Sequence, residues 1–424
     1  MGRVFRLWLP LAASWALMGA EGPLFAAFVG NLADERIHLG AFGGIAFPVA
    51  LVVEGPIIML LAASTALCGD MESYRKVLRF TWAAAFALTA VHAAIAFTPL
   101  YDLVAQRVMG IPDELLEPGR LGLQLLTPWT GAIAYRRFQQ GVLIRFERSR
   151  MVMLGTAVRL VTLITMLLLG GWVFGLQGIA TGTLAMSCAV IAEALFARWA
   201  VGPVVRERLP QAPPPDEPVT RKGFLLFYVP LAMTPLITLL LQPIGAASMA
   251  RMPEAALSLA AWPAVHGLVF LLRSTGFAYN EVVVALLGEP GARPALRRFA
   301  LLLGGTTSAL LALLAFTPLS ELWFREVSGF SPELTELCRM ALAFAILMPA
   351  YQALQSWFQG QLVHARRTRG VTEAVALYAS VAALGLVLAV PRATWPGIHV
   401  ALVAFTCAGL LQTGWLARRA ARYG

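Results

Sequence analysis

Apolar residues in this chain come in long runs, without the one-sided stripes of a water-soluble helix. Twelve runs reach the roughly 20 residues a helix needs to cross hydrocarbon. In the first half they fall near residues 5–31, 40–67, 78–104, 120–144, 151–173 and 178–200. In the second they fall near 223–250, 256–287, 296–322, 334–362, 371–391 and 396–417. Runs of this length suit membrane-spanning helices. The pattern therefore predicts an all-α polytopic membrane protein. One separator stands apart: residues 201–222, VGPVVRERLPQAPPPDEPVTRK, form the only long polar, proline-rich stretch.

The pattern on one side of that stretch is written again on the other. Ala96-Phe97-Thr98-Pro99-Leu100 returns as Ala315-Phe316-Thr317-Pro318-Leu319, a shift of 219 positions. The same shift carries Gly110 to Gly329, Arg120 to Arg339, Gly141 to Gly360, Arg148 to Arg367, Gly178-Ile179 to Gly397-Ile398 and Cys188 to Cys407. With one further residue, Pro10-Leu11-Ala12 maps onto Pro230-Leu231-Ala232. The chain reads as a duplication: a six-span lobe over 1–200, a cytoplasmic linker over 201–222, and a second six-span lobe over 223–424.

Composition agrees. Of the 424 residues 58% are hydrophobic and 13% charged, against about 25% charged in an ordinary soluble domain. A net charge of +10 would suggest nucleic acid in a soluble protein. Here it reads as the cytoplasmic excess of Arg and Lys that orients membrane helices, and no nucleic-acid partner is expected. Twenty-two basic residues fall near 3–6, 75–79, 145–150, 198–222, 293–298, 366–369 and 418–422. Only Arg36, Arg107, Arg120, Arg251, Arg325, Arg339 and Arg392 fall on the other side. Both termini are thus expected in the cytoplasm of a bacterial inner membrane, with the two halves inserted in the same sense. Met1-Gly2-Arg3 leads straight into the first span, so no cleaved signal peptide is expected. The four cysteines lack metal or redox spacing and read as small buried hydrophobes, so no metal site is expected. No phosphate-binding glycine loop, HExxH or GxSxG is present, so an enzyme is not expected.

Candidate chemistry lies in the polar residues placed at bilayer depth, which are costly there and must face protein or water. Glu21-Gly22-Pro23 and Glu54-Gly55-Pro56 each set a carboxylate beside a proline. That proline frees a carbonyl four residues earlier and bends the helix. Both glutamates are candidates for coupling to H⁺ or Na⁺, or for pairing with an arginine. In the fourth span Arg136, Gln139 and Gln140 share one face; in the tenth Gln352, Gln355 and Gln359 do. The repeat superposes Gln355 on Arg136 and Gln359 on Gln140, and both faces are expected to look into one central cavity. Arg137 is expected to snorkel to the cytoplasmic end. In the eighth span His266, Arg273 and Asn280 are seven apart and form one stripe. Arg273, near mid-membrane, either pairs with Glu21 or Glu54 or binds an anion. Glu193 reads as an interhelical hydrogen-bonding group and His92 as a structural histidine.

Several stretches carry a family resemblance. They are Leu9-Pro10-Leu11, Val91-His92-Ala93-Ala94-Ile95-Ala96, the run from Thr127-Pro128 to Arg150, the run from Trp262-Pro263 through Arg273 to Glu281, and Glu336-Leu337-Cys338. With the twelve-span duplicated plan, the chain resembles the multidrug/oligosaccharidyl-lipid/polysaccharide (MOP) exporter superfamily, including the multidrug and toxin extrusion (MATE) exporters. Within it the chain most resembles the progressive ankylosis (ANKH-like) branch. The resemblance implies a monomeric secondary exporter with alternating access around a central cavity, with no cofactor beyond a coupling ion. It implies a small organic or phosphorylated anion as substrate. A MATE-type cation antiporter and a lipid-linked glycan flippase remain alternatives. Arg136 and Arg273 depart from what a purely cationic substrate would ask for.

Overall fold

A computed structural model describes residues 1–213, 219–365, 367 and 369–422. Linker residues 214–218 and Arg366, counted above among the cytoplasmic basic residues, lie outside the described residues. Every regular element among the described residues is helical. Among the described residues, eleven helices are long and apolar enough to cross a membrane. The expected span over 120–144 is built as Leu116–Leu125 followed by Thr127–Arg145, with Leu126 between them in helical geometry. It has the length, and it falls short in hydropathy because Glu117, Arg120 and Gln124 sit in its first half and Arg136, Arg137, Gln139 and Gln140 in its second. Large rings face outward, with Phe86 79% and Trp172 70% exposed. Surface apolar area on this scale suits lipid as the surrounding solvent.

Prolines and glycines set the local breaks. Pro23 cannot donate to the helix ladder, and the first span divides at Ala20 into Gly2–Gly19 and Glu21–Gly30. Pro56 acts likewise: Phe47–Glu54 gives way to a tight turn over Gly55–Ile57, and the amide of Gly55 takes up the Val52 carbonyl that Pro56 leaves free. The duplication is visible in these boundaries. Met71–Phe97 and Ala292–Phe316 end at positions 219 apart, as do Thr127–Arg145 and Leu347–His364. Gly178–Pro203 and Gly397–Ala420 start at positions 219 apart. Gly110 and Gly329 both close a wide helical turn at φ 68°, a left-handed geometry that only glycine adopts without strain.

By backbone packing the chain forms two compact units, Met1–Gly43 with Ile244–Gly424, and Gly44–Pro243. These packing groups and the sequence repeat cut the chain at different places. In Gly44–Pro243 the helix Thr127–Arg145 is central, with Phe138 and Leu143 fully buried. His92 ties its neighbour to it: Nδ1 meets Thr130 Oγ1 at 2.8 Å and Nε2 meets the Leu123 carbonyl at 2.9 Å. Both ring nitrogens are used, as a structural role requires. In the other unit the 32-residue helix Ala255–Leu286 is central. Its end packs Tyr279, Val282, Val283 and Leu286 against Val4, Leu296, Phe299 and Trp357.

Candidate functional site

In Gly44–Pro243 the polar face of Thr127–Arg145 meets the helix Gly178–Pro203. Glu193, fully buried, accepts from Arg136 Nη1 at 2.6 Å through one oxygen and from Gln140 Nε2 at 2.9 Å through the other. Arg159 Nη1 stands 3.8 Å from the same carboxylate. Gln139 turns aside and donates to the Tyr74 hydroxyl at 3.3 Å. The expected interhelical role of Glu193 is thus its geometry, with two arginines as partners.

Glu54 is buried in the same unit, at the end of its helix, and Oε2 has no hydrogen-bond partner among the described residues. The field it feels comes first from Arg137, then from Arg136 and Arg159. Arg137, expected to snorkel, is half-buried, with its Nε buried within the unit. Three arginines and two glutamates leave this cluster with one positive charge in excess.

The other unit holds the second group. On Ala255–Leu286 the stripe His266, Arg273, Asn280 reads onto the helix Leu347–His364 over its lower two members. Arg273 Nη2 donates to Gln352 Oε1 at 2.9 Å, and Asn280 Nδ2 lies 3.4 Å from Gln359 Oε1. The Arg273 guanidinium also lies 5.8 Å from the Phe277 ring and 5.7 Å from the Tyr351 ring. Its Nε is buried without a hydrogen-bond partner, and no ion pair joins it to a carboxylate among the described residues. His266 stacks between Trp262 at 5.1 Å and Phe270 at 6.3 Å. Gln355 commits its amide to the helix Gly397–Ala420, donating to Gly409 O, Gln412 Oε1 and Thr413 Oγ1, each at 3.1 Å. Glu21 opens the helix Glu21–Gly30, where the helix dipole favours a carboxylate. Gly22 and Gly267 cross in contact there, which brings Glu21 to the turn that carries His266.

The shift of 219 places Gln355, Tyr378 and Gln412 on Arg136, Arg159 and Glu193. The bond from Gln355 to Gln412 repeats the bond from Arg136 to Glu193 with amides in place of charges. What sequence reasoning missed is that Glu193 and Arg159 belong to one cluster with Arg136. Of the corresponding residues, Gln355 and Gln412 are bonded to each other.

The fold is known from solved structures. An inward-facing multidrug resistance MATE family transporter of the MOP superfamily matches over 98% of each chain with a TM-score of 0.73 at 15% identity. A MATE structure in a bent conformation matches over 99% of this chain and 95% of its own, at 0.60 and 17%. A MOP superfamily transporter from Pyrococcus furiosus, described as having a binding pocket of reverse polarity that suggests a different function, matches over the same shares at 0.59 and 15%. No protein-family model matches the chain, and no curated protein does. The chain therefore has the fold of the MATE and MOP superfamily transporters, all-α and multi-span.

Proposed function

We propose that this chain is a secondary transporter that exports a small organic or phosphorylated anion by alternating access of two six-span lobes, 1–200 and 223–424. The observation that carries the reading is Arg273. It is a fixed positive charge in a helix whose only other charged residue is Glu281, and its nearest polar partner is an amide. A guanidinium at that depth stays protonated, and an anion is the ligand that neutralises it. The excess positive charge of the Arg136, Arg137 and Arg159 cluster supports the same sign. Among proteins of this fold, the Pyrococcus furiosus transporter is described as having a pocket of reverse polarity. The stretches resembling the ANKH-like branch point the same way.

In this reading Arg273 and Arg136 draw the anion in, with Gln140, His266, Asn280, Gln355 and Gln359 around them. Glu21 and Glu54 couple transport to H⁺ or Na⁺. The protein works as a monomer in a bacterial inner membrane with both termini cytoplasmic. Glu54, buried, and Glu21, half-buried, also favour a second reading, a cation antiporter of the MATE type.

The two readings rank the same variants in opposite order. Arg273→Ala should abolish anion transport in proteoliposomes while Arg273→Lys keeps part of it, and Glu54→Gln should leave anion binding but change its pH dependence. Under the cation reading Glu54→Gln is fatal and Arg273→Ala mild. Anion binding retained by an Arg273→Ala protein with an unchanged melting temperature would overturn the proposal.

A further inference from the structure

Away from these groups, one cavity in the unit of Ile244–Gly424 has no part in the proposed transport path. It holds about 440 Å³ and is lined by Glu254, Glu333, Glu336, Met340, Phe344, Trp395 and His399, among others. That is room for a small organic molecule. Two of the carboxylates, Glu254 and Glu333, have no ion pair among the described residues, while Glu336 is held in a fork by Arg339 at 2.8 and 2.6 Å. The Phe344 ring lies 6.0 Å from Trp395 and 5.2 Å from the His399 ring, so three rings form one wall. The site is braced from behind, because the Gly397 amide donates to the Pro253 carbonyl at 3.1 Å.

Three exposed carboxylates alone would be a solvated rim. What distinguishes this one is His399. It is 4% exposed, it lines the cavity, and its Nε2 has no hydrogen-bond partner among the described residues. With the ring proton on Nδ1, Nε2 presents a lone pair. A buried acceptor without a donor is a costly arrangement that a ligand N–H would relieve.

The repeat supplies an internal comparison. The shifts of 220 and 219 put Asp34, Glu114 and Glu117 on Glu254, Glu333 and Glu336, so the acid positions recur. Phe344, Trp395 and His399 correspond instead to Leu125, Leu176 and Ala180. The carboxylates belong to the duplicated plan; the rings and the acceptor belong to the second half alone.

We propose that this cavity binds a primary ammonium group carried on an apolar body. The ammonium offers three donors, for His399 Nε2 and for the carboxylates of Glu254 and Glu333, and its charge suits the faces of Phe344 and Trp395. The apolar body fits the wall of Leu257, Leu337 and Met340. Free amines and the headgroup of an aminophospholipid share this chemistry.

Met340 is exposed at the cavity and reports on it. The full-length protein, labelled with ¹³C-methyl methionine in phosphatidylcholine nanodiscs, is titrated with phenethylamine hydrochloride or with neutral phenethyl alcohol. The Met340 signal is assigned by Met340→Leu. The amine should give a saturable shift and the alcohol none. Glu254→Gln/Glu333→Gln and His399→Leu should each weaken the amine by about tenfold or more, the loss expected for a charge-assisted hydrogen bond. His399→Gln, which keeps an acceptor, should retain most of the affinity and guards against simple misfolding. Nanodiscs containing phosphatidylethanolamine identify the source. A Met340 shift there without added amine, with weakened phenethylamine binding, assigns the headgroup; unaltered phenethylamine binding assigns free amines. An equal response to amine and alcohol, no saturable response to phenethylamine, or undiminished affinity in the double glutamine variant would overturn the proposal.

Discussion

Arg136 and Glu193 show at the scale of single residues what a buried charge costs and what can replace it. Removing one member of a buried ion pair strands the other and costs about 3–5 kcal/mol, whereas replacing the whole set with matched neutral groups is often near neutral. The two halves of this chain hold both solutions at corresponding positions, Arg136 with Glu193 in one and Gln355 with Gln412 in the other, Tyr378 standing where the first half has Arg159. Arg136→Gln alone or Glu193→Gln alone should therefore lower stability by about 3–5 kcal/mol. The triple variant Arg136→Gln/Arg159→Tyr/Glu193→Gln, which copies the second half, should recover most of that loss. Unfolding of the purified proteins in one detergent checks this, and a triple variant no better than either single would show that the charges cannot be exchanged. The face of Arg136 and Gln140 was legible from their spacing on one helix. The partner was not, because Glu193 lies 57 positions away, and a lone glutamate in an apolar run looks the same whatever it meets.

At the scale of the element, apolar runs locate helices well and their ends poorly. The sixth span was expected to stop near residue 200, yet the helix Gly178–Pro203 continues as a wide turn over Val204–Arg208 and a tight one over Leu209–Gln211. Arg206, Glu207 and Arg208 are as comfortable on a helix in water as in a loop, so hydropathy marks where lipid would end, not where the helix does. The bends were legible because Pro23 and Pro56 act through the backbone alone. The start of Met71–Phe97 has a nameable cause as well: Asp70 accepts from the amides of Glu72 at 2.8 Å and Ser73 at 3.0 Å. Burial by itself pushes the Asp70 carboxyl up, but the hydrogen bonds from Ser73 and Glu72, with Lys76 nearby, outweigh it and hold the group below its ordinary value. A lowered folded-state value means that the stabilisation is present above the ordinary carboxylate range and is lost as pH falls through the folded one. Asp70→Ala should cost about 1 kcal/mol at neutral pH. Asp70→Asn should cost less and should flatten the acid side of the stability profile. Melting curves between about pH 7 and pH 3 would show a profile unchanged in Asp70→Asn if the cap carried no titrating charge.

For the molecule as a whole, the duplication was legible because it is written in residues that set backbone geometry. Gly110 and Gly329 recur at one φ, and helix ends recur at one shift. The number of crossings is the harder matter. Among the described residues eleven helices are apolar enough to span by composition, and the twelfth segment, over 116–145, carries Arg136, Arg137 and Gln140 of the buried cluster. Its polarity is what a path through a membrane protein needs and also what a search for apolar runs rejects. Parity separates the two counts. If the 116–145 segment crosses, the first half has six spans, so Arg3 and Lys222 lie on one side; if it does not, five spans put them on opposite sides. The charge bias favours the first arrangement, since it places the basic residues near 3–6 and 198–222 together. In a protein whose four cysteines are replaced, single cysteines at positions 3, 107, 222 and 422 can be tested with a membrane-impermeant maleimide. On intact cells position 107 should label while 3, 222 and 422 stay protected, and everted vesicles should reverse the pattern. Labelling at 3 and 222 from opposite faces would remove the 116–145 segment from the membrane, and with it the reason for burying Arg136 at bilayer depth.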